Sequence, residues 1–180
     1  TNTLNTGTLN LVGSNNQTVN GNVGVGNALK DVNSGVGTST FNGTVNSQNV
    51  TNTGTGTTTF KENVIATNVN VNAGTSNFEK SLNATTTTIT TGTGNFNTVS
   101  GITNSNIVFG GDGTANLYGN LTGDINFSGN DAIVNIADGK GILGSVQTLA
   151  NNNTGILNFK GDGVIDGIIG SVGLGIEELN

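Results

Sequence analysis

A five-residue phrase returns through this chain at intervals near twenty residues, and that recurrence restricts the possible folds more than any other feature. Gly56-Thr57-Thr58-Thr59-Phe60 is a glycine, three small polar residues and a large apolar one. Close copies are Gly37-Thr38-Ser39-Thr40-Phe41, Gly74-Thr75-Ser76-Asn77-Phe78, Gly92-Thr93-Gly94-Asn95-Phe96 and Gly113-Thr114-Ala115-Asn116-Leu117. Gly7-Thr8-Leu9-Asn10-Leu11 reads as the first copy. Ala132-Ile133-Val134-Asn135-Ile136 and Gly155-Ile156-Leu157-Asn158-Phe159 read as looser ones. The first positions, 7, 37, 56, 74, 92, 113, 132 and 155, lie 30, 19, 18, 18, 21, 19 and 23 residues apart. A period of this size marks a solenoid, in which each copy is one rung stacked on the last. The expected fold class is all-β: a parallel β-helix (β-solenoid) of about eight or nine rungs, roughly 35–45 Å long at ~4.8 Å per rung.

Each column of the phrase has a physical task. Side chains on a strand alternate between faces. The closing column, Leu11, Phe41, Phe60, Phe78, Phe96, Leu117, Ile136 and Phe159, points inward. The column two residues earlier shares that face and is mostly small, as a thin interior requires: Ser39, Thr58, Ser76, Gly94, Ala115. Between them lies an outward column of Asn10, Thr40, Thr59, Asn77, Asn95, Asn116, Asn135 and Asn158. Like amides one rung apart are placed to hydrogen-bond in a ladder. Aliphatic residues four positions after the anchor (Val45, Val64, Leu82) and later ones (Val69, Val71, Ile89, Ile107, Phe109) supply further strands. Each rung therefore reads as two or three short strands separated by Gly and Asn corners.

Residues 13–36 and 164–180 read as interruption modules within one segment spanning 1–180. A helical turn is expected at Ala28–Val32, and the long first step accounts for the first module. Ile142-Leu143-Gly144-Ser145-Val146 returns as Ile168-Ile169-Gly170-Ser171-Val172. The ending Ile176-Glu177-Glu178-Leu179-Asn180 matches Leu29-Lys30-Asp31-Val32-Asn33, so the chain stops where another anchor would begin. It opens on Thr1 without methionine or signal peptide, which fits a segment of a longer protein.

Composition narrows the function. Charged residues are 9% of the chain, which alone would suggest disorder, but a solenoid needs few large side chains per rung. The net charge is −6 and no arginine occurs, which argues against nucleic acid and anionic lipid as partners. No apolar run is long enough to span a membrane. Without histidine or cysteine, the common nucleophile–base pairs are excluded.

These residues resemble the passenger regions of bacterial autotransporters, most closely the rickettsial outer membrane protein A and B family of surface cell antigens. The resemblance rests on the Asn/Thr/Gly-rich rungs, with Phe41-Asn42-Gly43-Thr44-Val45 as the nearest stretch. It rests also on the module from Asn20-Gly21-Asn22-Val23-Gly24 to Asn27-Ala28-Leu29-Lys30-Asp31-Val32-Asn33. It implies a right-handed parallel β-helix, exported to the bacterial cell surface and outer membrane through a C-terminal translocator barrel that this sequence lacks. It implies host-cell adhesion and invasion, or a structural surface role, with an unidentified host-cell receptor as partner. No binding motif carries over, and no catalytic, cofactor or metal residue is assigned.

Four patterns are candidate sites. Asp112 and Asp131 each precede an anchor, so stacking would bring them into one column, about 5 Å apart. They are the candidate carboxylates of the alternative reading, a polysaccharide hydrolase or lyase; the plainer reading is a pair of turn aspartates. Gly110-Gly111-Asp112-Gly113 is similar to part of a calcium-binding nonapeptide but does not recur every nine residues. Thr57-x-Thr59 above Thr38-x-Thr40 is similar to an ice-binding solenoid, although later rungs substitute asparagine. Lys61-Glu62 and Glu79-Lys80 fall one rung apart and suit a cross-rung ion pair.

Overall fold

The computed structural model describes residues 3–180, and among them every regular element is a strand. In chain order these are β1 (Thr8–Leu11), β2 (Gln17–Val19), β3 (Leu29–Ser34), β4 (Ser39–Phe41), β5 (Val45–Asn52), β6 (Thr57–Phe60) and β7 (Val64–Val71). There follow β8 (Thr75–Phe78), β9 (Leu82–Ile89), β10 (Thr93–Phe96), β11 (Thr103–Phe109), β12 (Thr114–Leu117), β13 (Leu121–Thr122) and β14 (Ile125–Asn126). The last are β15 (Ile133–Ile136), β16 (Lys140–Leu143), β17 (Val146–Gln147), β18 (Ile156–Phe159), β19 (Gly163–Ile165) and β20 (Glu178–Leu179).

Successive strands alternate between two sheets. The first, sheet A, runs β1-β3-β5-β7-β9-β11-β13-β16-β19, with β14 and β17 beside it. Sheet B runs β2-β4-β6-β8-β10-β12-β15-β18-β20. All the strand pairs are parallel. The chain is a right-handed parallel β-solenoid of about 9 turns. That is the hand parallel crossovers take. One rung is a sheet A strand followed by a sheet B strand.

The sheet A strand is bent. Along β5 the alternation of buried and outward residues breaks at Gln48 and Asn49, which both face out. The same break falls at Thr67–Asn68 in β7 and Thr85–Thr86 in β9. Past β11, where the register shifts between Asn104 and Asn106, the strand splits in two. There β13 pairs with one half of β11 and β14 with the other. The bend gives each rung a third side.

The anchor phrase forms sheet B in register from rung 2 onward: Ser39↔Thr58, Thr58↔Ser76 and Gly94↔Ala115 stack as inner small residues. Phe41, Phe60, Phe78 and Phe96 are buried and stacked, with ring centroids 5.0, 5.1 and 5.3 Å apart. The anchor glycine serves close approach: a Cβ on Gly56 would fall on the carbonyl oxygen of Gly37.

Four expectations are corrected. Gly7–Leu11 is not the first anchor: β1 lies in sheet A, with Leu11 opposite Ser34. The rung below Phe41 is filled by Val19 of β2, where asparagine and valine replace the phrase's glycine and phenylalanine. Ala28–Val32 is not helical, since Leu29–Ser34 is strand β3, paired on both sides. The return of Ile142–Val146 lies three residues earlier than read: Ile142 pairs with Ile165 and Val146 bridges to Ile169. Segments 13–36 and 164–180 hold β2, β3, β20 and the last two residues of β19, all in the same two sheets. Finally, Glu178-Leu179 is itself the ninth anchor, opposite Ile156-Leu157, and belongs to sheet B, not to the sheet of Leu29–Asn33.

Each rung from the second to the eighth carries one of the seven phenylalanines. Sheet B holds Phe41, Phe60, Phe78 and Phe96; sheet A takes over with Phe109 and Phe127, whose rings stack at 5.4 Å; Phe159 returns to sheet B. Where sheet A carries the ring, sheet B carries Leu117 and Ile136. Gly155, at φ +87°, leaves the space its Cβ would take from the ring of Phe127.

Candidate functional site

Three surfaces carry the candidate residues: the corner leading from sheet A to sheet B, the outward face of sheet B, and the corner leading back to sheet A. The first holds the candidate carboxylates. Asp112 and Asp131 are both exposed and stacked as expected, but Asp112 Oδ1 accepts the backbone N–H of Asp131 at 3.0 Å. This is a structural arrangement repeated elsewhere. Asn22 accepts from Thr44, Asn106 from Asp124, Asp124 from Ser145, Asn120 from Gly141 and Asn152 from Gly175, all at 2.7–3.0 Å. A turn Asn or Asp of one rung thus caps the backbone of the next, and the carboxylate does what an amide does elsewhere. Gly110–Gly113 closes as a turn, with Gly113 N donating to Gly111 O at 2.9 Å. Among the described residues no three acidic side chains gather as a metal would require.

The outward face of sheet B carries the amide ladder. Asn77 Nδ2 donates to Thr59 Oγ1 at 3.3 Å, Asn95 to Asn77 at 2.7 Å and Asn116 to Asn95 at 2.7 Å. Asn135 donates to Asn116, Asn158 to Asn135 and Asn180 to Asn158, at 2.8, 3.0 and 2.8 Å. A primary amide has two N–H donors and two acceptor lone pairs. The ladder uses one of each, fixing the side chain while one donor and one acceptor face solvent. The adjoining column is Thr57, Thr75, Thr93 and Thr114, then Ile133 and Ile156. Paired threonines therefore span only the rungs of Thr38-x-Thr40 and Thr57-x-Thr59.

The corner from sheet B to sheet A concentrates charge. Its turns hold Lys61, Glu62, Glu79, Lys80, Asp138, Lys160 and Asp162, with Lys140 opening β16. Of the expected cross-rung contacts, Lys80 Nζ meets both Glu62 oxygens, at 2.6 and 2.8 Å. The ion pair is about 40% exposed, so it steadies register by a few tenths of a kcal/mol at most. Turn length varies here. Three residues link Phe41 to Val45, six link Phe96 to Thr103, three link Leu117 to Leu121 and five link Ile136 to Ile142.

The short turn Tyr118-Gly119-Asn120 is followed by a longer one, and two shallow grooves open there, both lined by the sixth to eighth rungs. One, of about 340 Å³, is lined by Tyr118, Asn116, Asn135, Asp138 and Lys160. The other, of about 320 Å³, is lined by Asn120, Lys140, Leu143, Asp162 and Val164. Neither includes Asp112 or Asp131. Tyr118, the chain's one tyrosine, is 48% exposed. Sequence reasoning missed these grooves because their side chains come from successive turns of unequal length; the clustering of lysines after the anchors was the available signal.

No family model matches the chain, and no curated protein or solved structure matches it.

Proposed function

We propose that this chain is part of a surface-displayed autotransporter passenger of the rickettsial outer membrane protein A and B type. On this reading it is exported to the bacterial surface through a C-terminal translocator barrel. There it presents a long rigid face for host-cell adhesion and invasion, or serves as a stalk. The supporting observation is the amide ladder from Thr59 to Asn180, an uncharged outward strip rising one step per rung. Such a surface suits contact spread over area, each residue contributing little. The segment has no catalytic task of its own on this reading, and Asp112 is occupied as a turn cap.

Beads coated with the purified, folded protein and presented to host cells test the proposal. Adhesion that weakens when Asn77, Asn95 and Asn116 are replaced together, but hardly when Asn95 alone is, is the outcome for an adhesive face. Beads that do not adhere make this region a spacer. Turnover of a polysaccharide, abolished by Asp131→Asn, would overturn both in favour of the carbohydrate-active alternative.

A further inference from the structure

The groove beside Tyr118 differs from the rest of the solenoid surface in combining an aromatic face with fixed polar groups. Its three corner residues are set by the ladder, Tyr118 and Lys160 through their backbone and Asp138 through its carboxylate. Tyr118 N donates to Phe96 O at 3.0 Å, Asp138 Oδ1 accepts Asp162 N at 2.9 Å, and Lys160 N donates to Ile136 O at 2.9 Å. On the sheet B side the groove ends at Asn116 and Asn135. These two amides are joined at 2.8 Å, and each keeps one N–H and one lone pair for a ligand, in directions the ladder sets.

We propose that this groove binds the end of a neutral oligosaccharide. One sugar ring lays its C–H face on Tyr118 while its hydroxyls bond to Asn116, Asn135, Asp138 and Lys160. Each sugar hydroxyl both donates and accepts, which is the capacity the half-used amides retain. Asp138 supplies an acceptor and Lys160 a donor, and their charges cancel, so the groove does not select a polyanion. A tyrosine ring is apolar in its body and exposed on one side, the surface a sugar's C–H face can cover. The volume, about 340 Å³, is at the small end for ligand sites and suits a chain end rather than a polymer's full width. Because the amides are already ordered, little conformational freedom is lost when they engage. This proposal does not rest on the display reading, since a passive spacer can carry the same groove.

The chain has one tyrosine and no tryptophan, so its tyrosine emission reports Tyr118 alone. The experiment titrates the folded protein with chitotriose, maltotriose and cellotriose. A heparin tetrasaccharide and an uncharged Gly/Asn/Thr peptide serve as comparators. Emission and the side-chain amide signals of Asn116 and Asn135 are followed together. The expected result is a saturable change at low millimolar levels with at least one neutral trisaccharide, moving both amide signals. Tyr118→Ala should weaken that binding about tenfold or more, read from the amide signals, without altering the melting temperature. Asp138→Asn preserves the acceptor for Asp162 N and should weaken it less. Silence from all three trisaccharides would overturn the proposal. So would tighter binding of the heparin fragment or the peptide, or undiminished binding by Tyr118→Ala.

Discussion

The second to fifth rungs and the sixth and seventh solve the same packing problem in different ways. In the earlier set sheet B supplies the aromatic layer, and the residues beside it are polar. Ser34, Ser39, Asn52, Thr58 and Ser76 are buried, and Thr58 Oγ1 donates to Ser34 Oγ at 2.6 Å. In the sixth and seventh rungs sheet A supplies Phe109 and Phe127, and the corresponding sheet B positions become Ala115 and Val134. The phenylalanine shifts side, but its number per rung does not. A stacked rung must fill a fixed thickness, because neighbouring backbones hold it at the ladder spacing. From the second rung to the eighth, which wall carries the ring is open; that one wall carries it is not. The corners of the second to fourth rungs have one length, whereas those from the fifth onward vary, and the grooves open among the sixth to eighth rungs.

The comparison can be broken at its strongest point first. Phe60→Asp buries a carboxylate between Phe41 and Phe78, and should cost about 5 kcal/mol or more, spreading to adjacent rungs. Denaturant unfolding unchanged by this variant would place Phe60 outside the core. The exchange of walls is sharpened by Phe109→Leu and Leu117→Phe. Each alone should cost about 1–3 kcal/mol, one by leaving space and the other by overfilling. Together they should cost at least ~1 kcal/mol less than their sum, since the ring volume is restored within one rung. Strict additivity would show that the two walls do not compensate. A smaller effect is expected at the ladder. Asn95→Ala removes a donor to Asn77 and an acceptor from Asn116, and should cost about 1 kcal/mol by thermal melting. A loss as large as that of a core substitution would mean that the ladder, not the phenylalanine layer, holds the rungs. The smallest change belongs to Glu62→Gln, about 0.5 kcal/mol or less and fading with added salt. A salt-independent loss well above that would contradict a solvated pair.

Much of this was legible where identity repeated. The phenylalanines from Phe41 to Phe96 and the asparagines from Asn77 to Asn158 keep one place in the phrase, and the inward and outward columns follow from alternation alone. The stacking of Asp131 over Asp112 and the Glu62–Lys80 pair followed from the same register. The phrase failed where role and identity parted. Val19 does the work of a phenylalanine without its leading glycine, so Gly7–Leu11 was read as the anchor in its place. Phe127 was overlooked, although Asp124-Ile125-Asn126-Phe127 echoes Asn106-Ile107-Val108-Phe109 at the same spacing as the regular rungs. The Tyr118 groove was illegible for a different reason. It depends on how far successive turns project, and turn length varies without altering the strands between them.

The central claim is that each repeat adds one rigid rung, so distance along the molecule counts rungs and not residues. The chain lacks cysteine, so paired spin labels can be placed without background. Labels at Thr40 and Asn158 sit on the outward face of sheet B, six rungs apart by the strand register. Dipolar spectroscopy should give a narrow distribution centred near 29 Å, six steps of ~4.8 Å. Moving the first label to Thr18 should lengthen it by about one step. A broad distribution, or a distance that does not grow rung by rung, would contradict the solenoid.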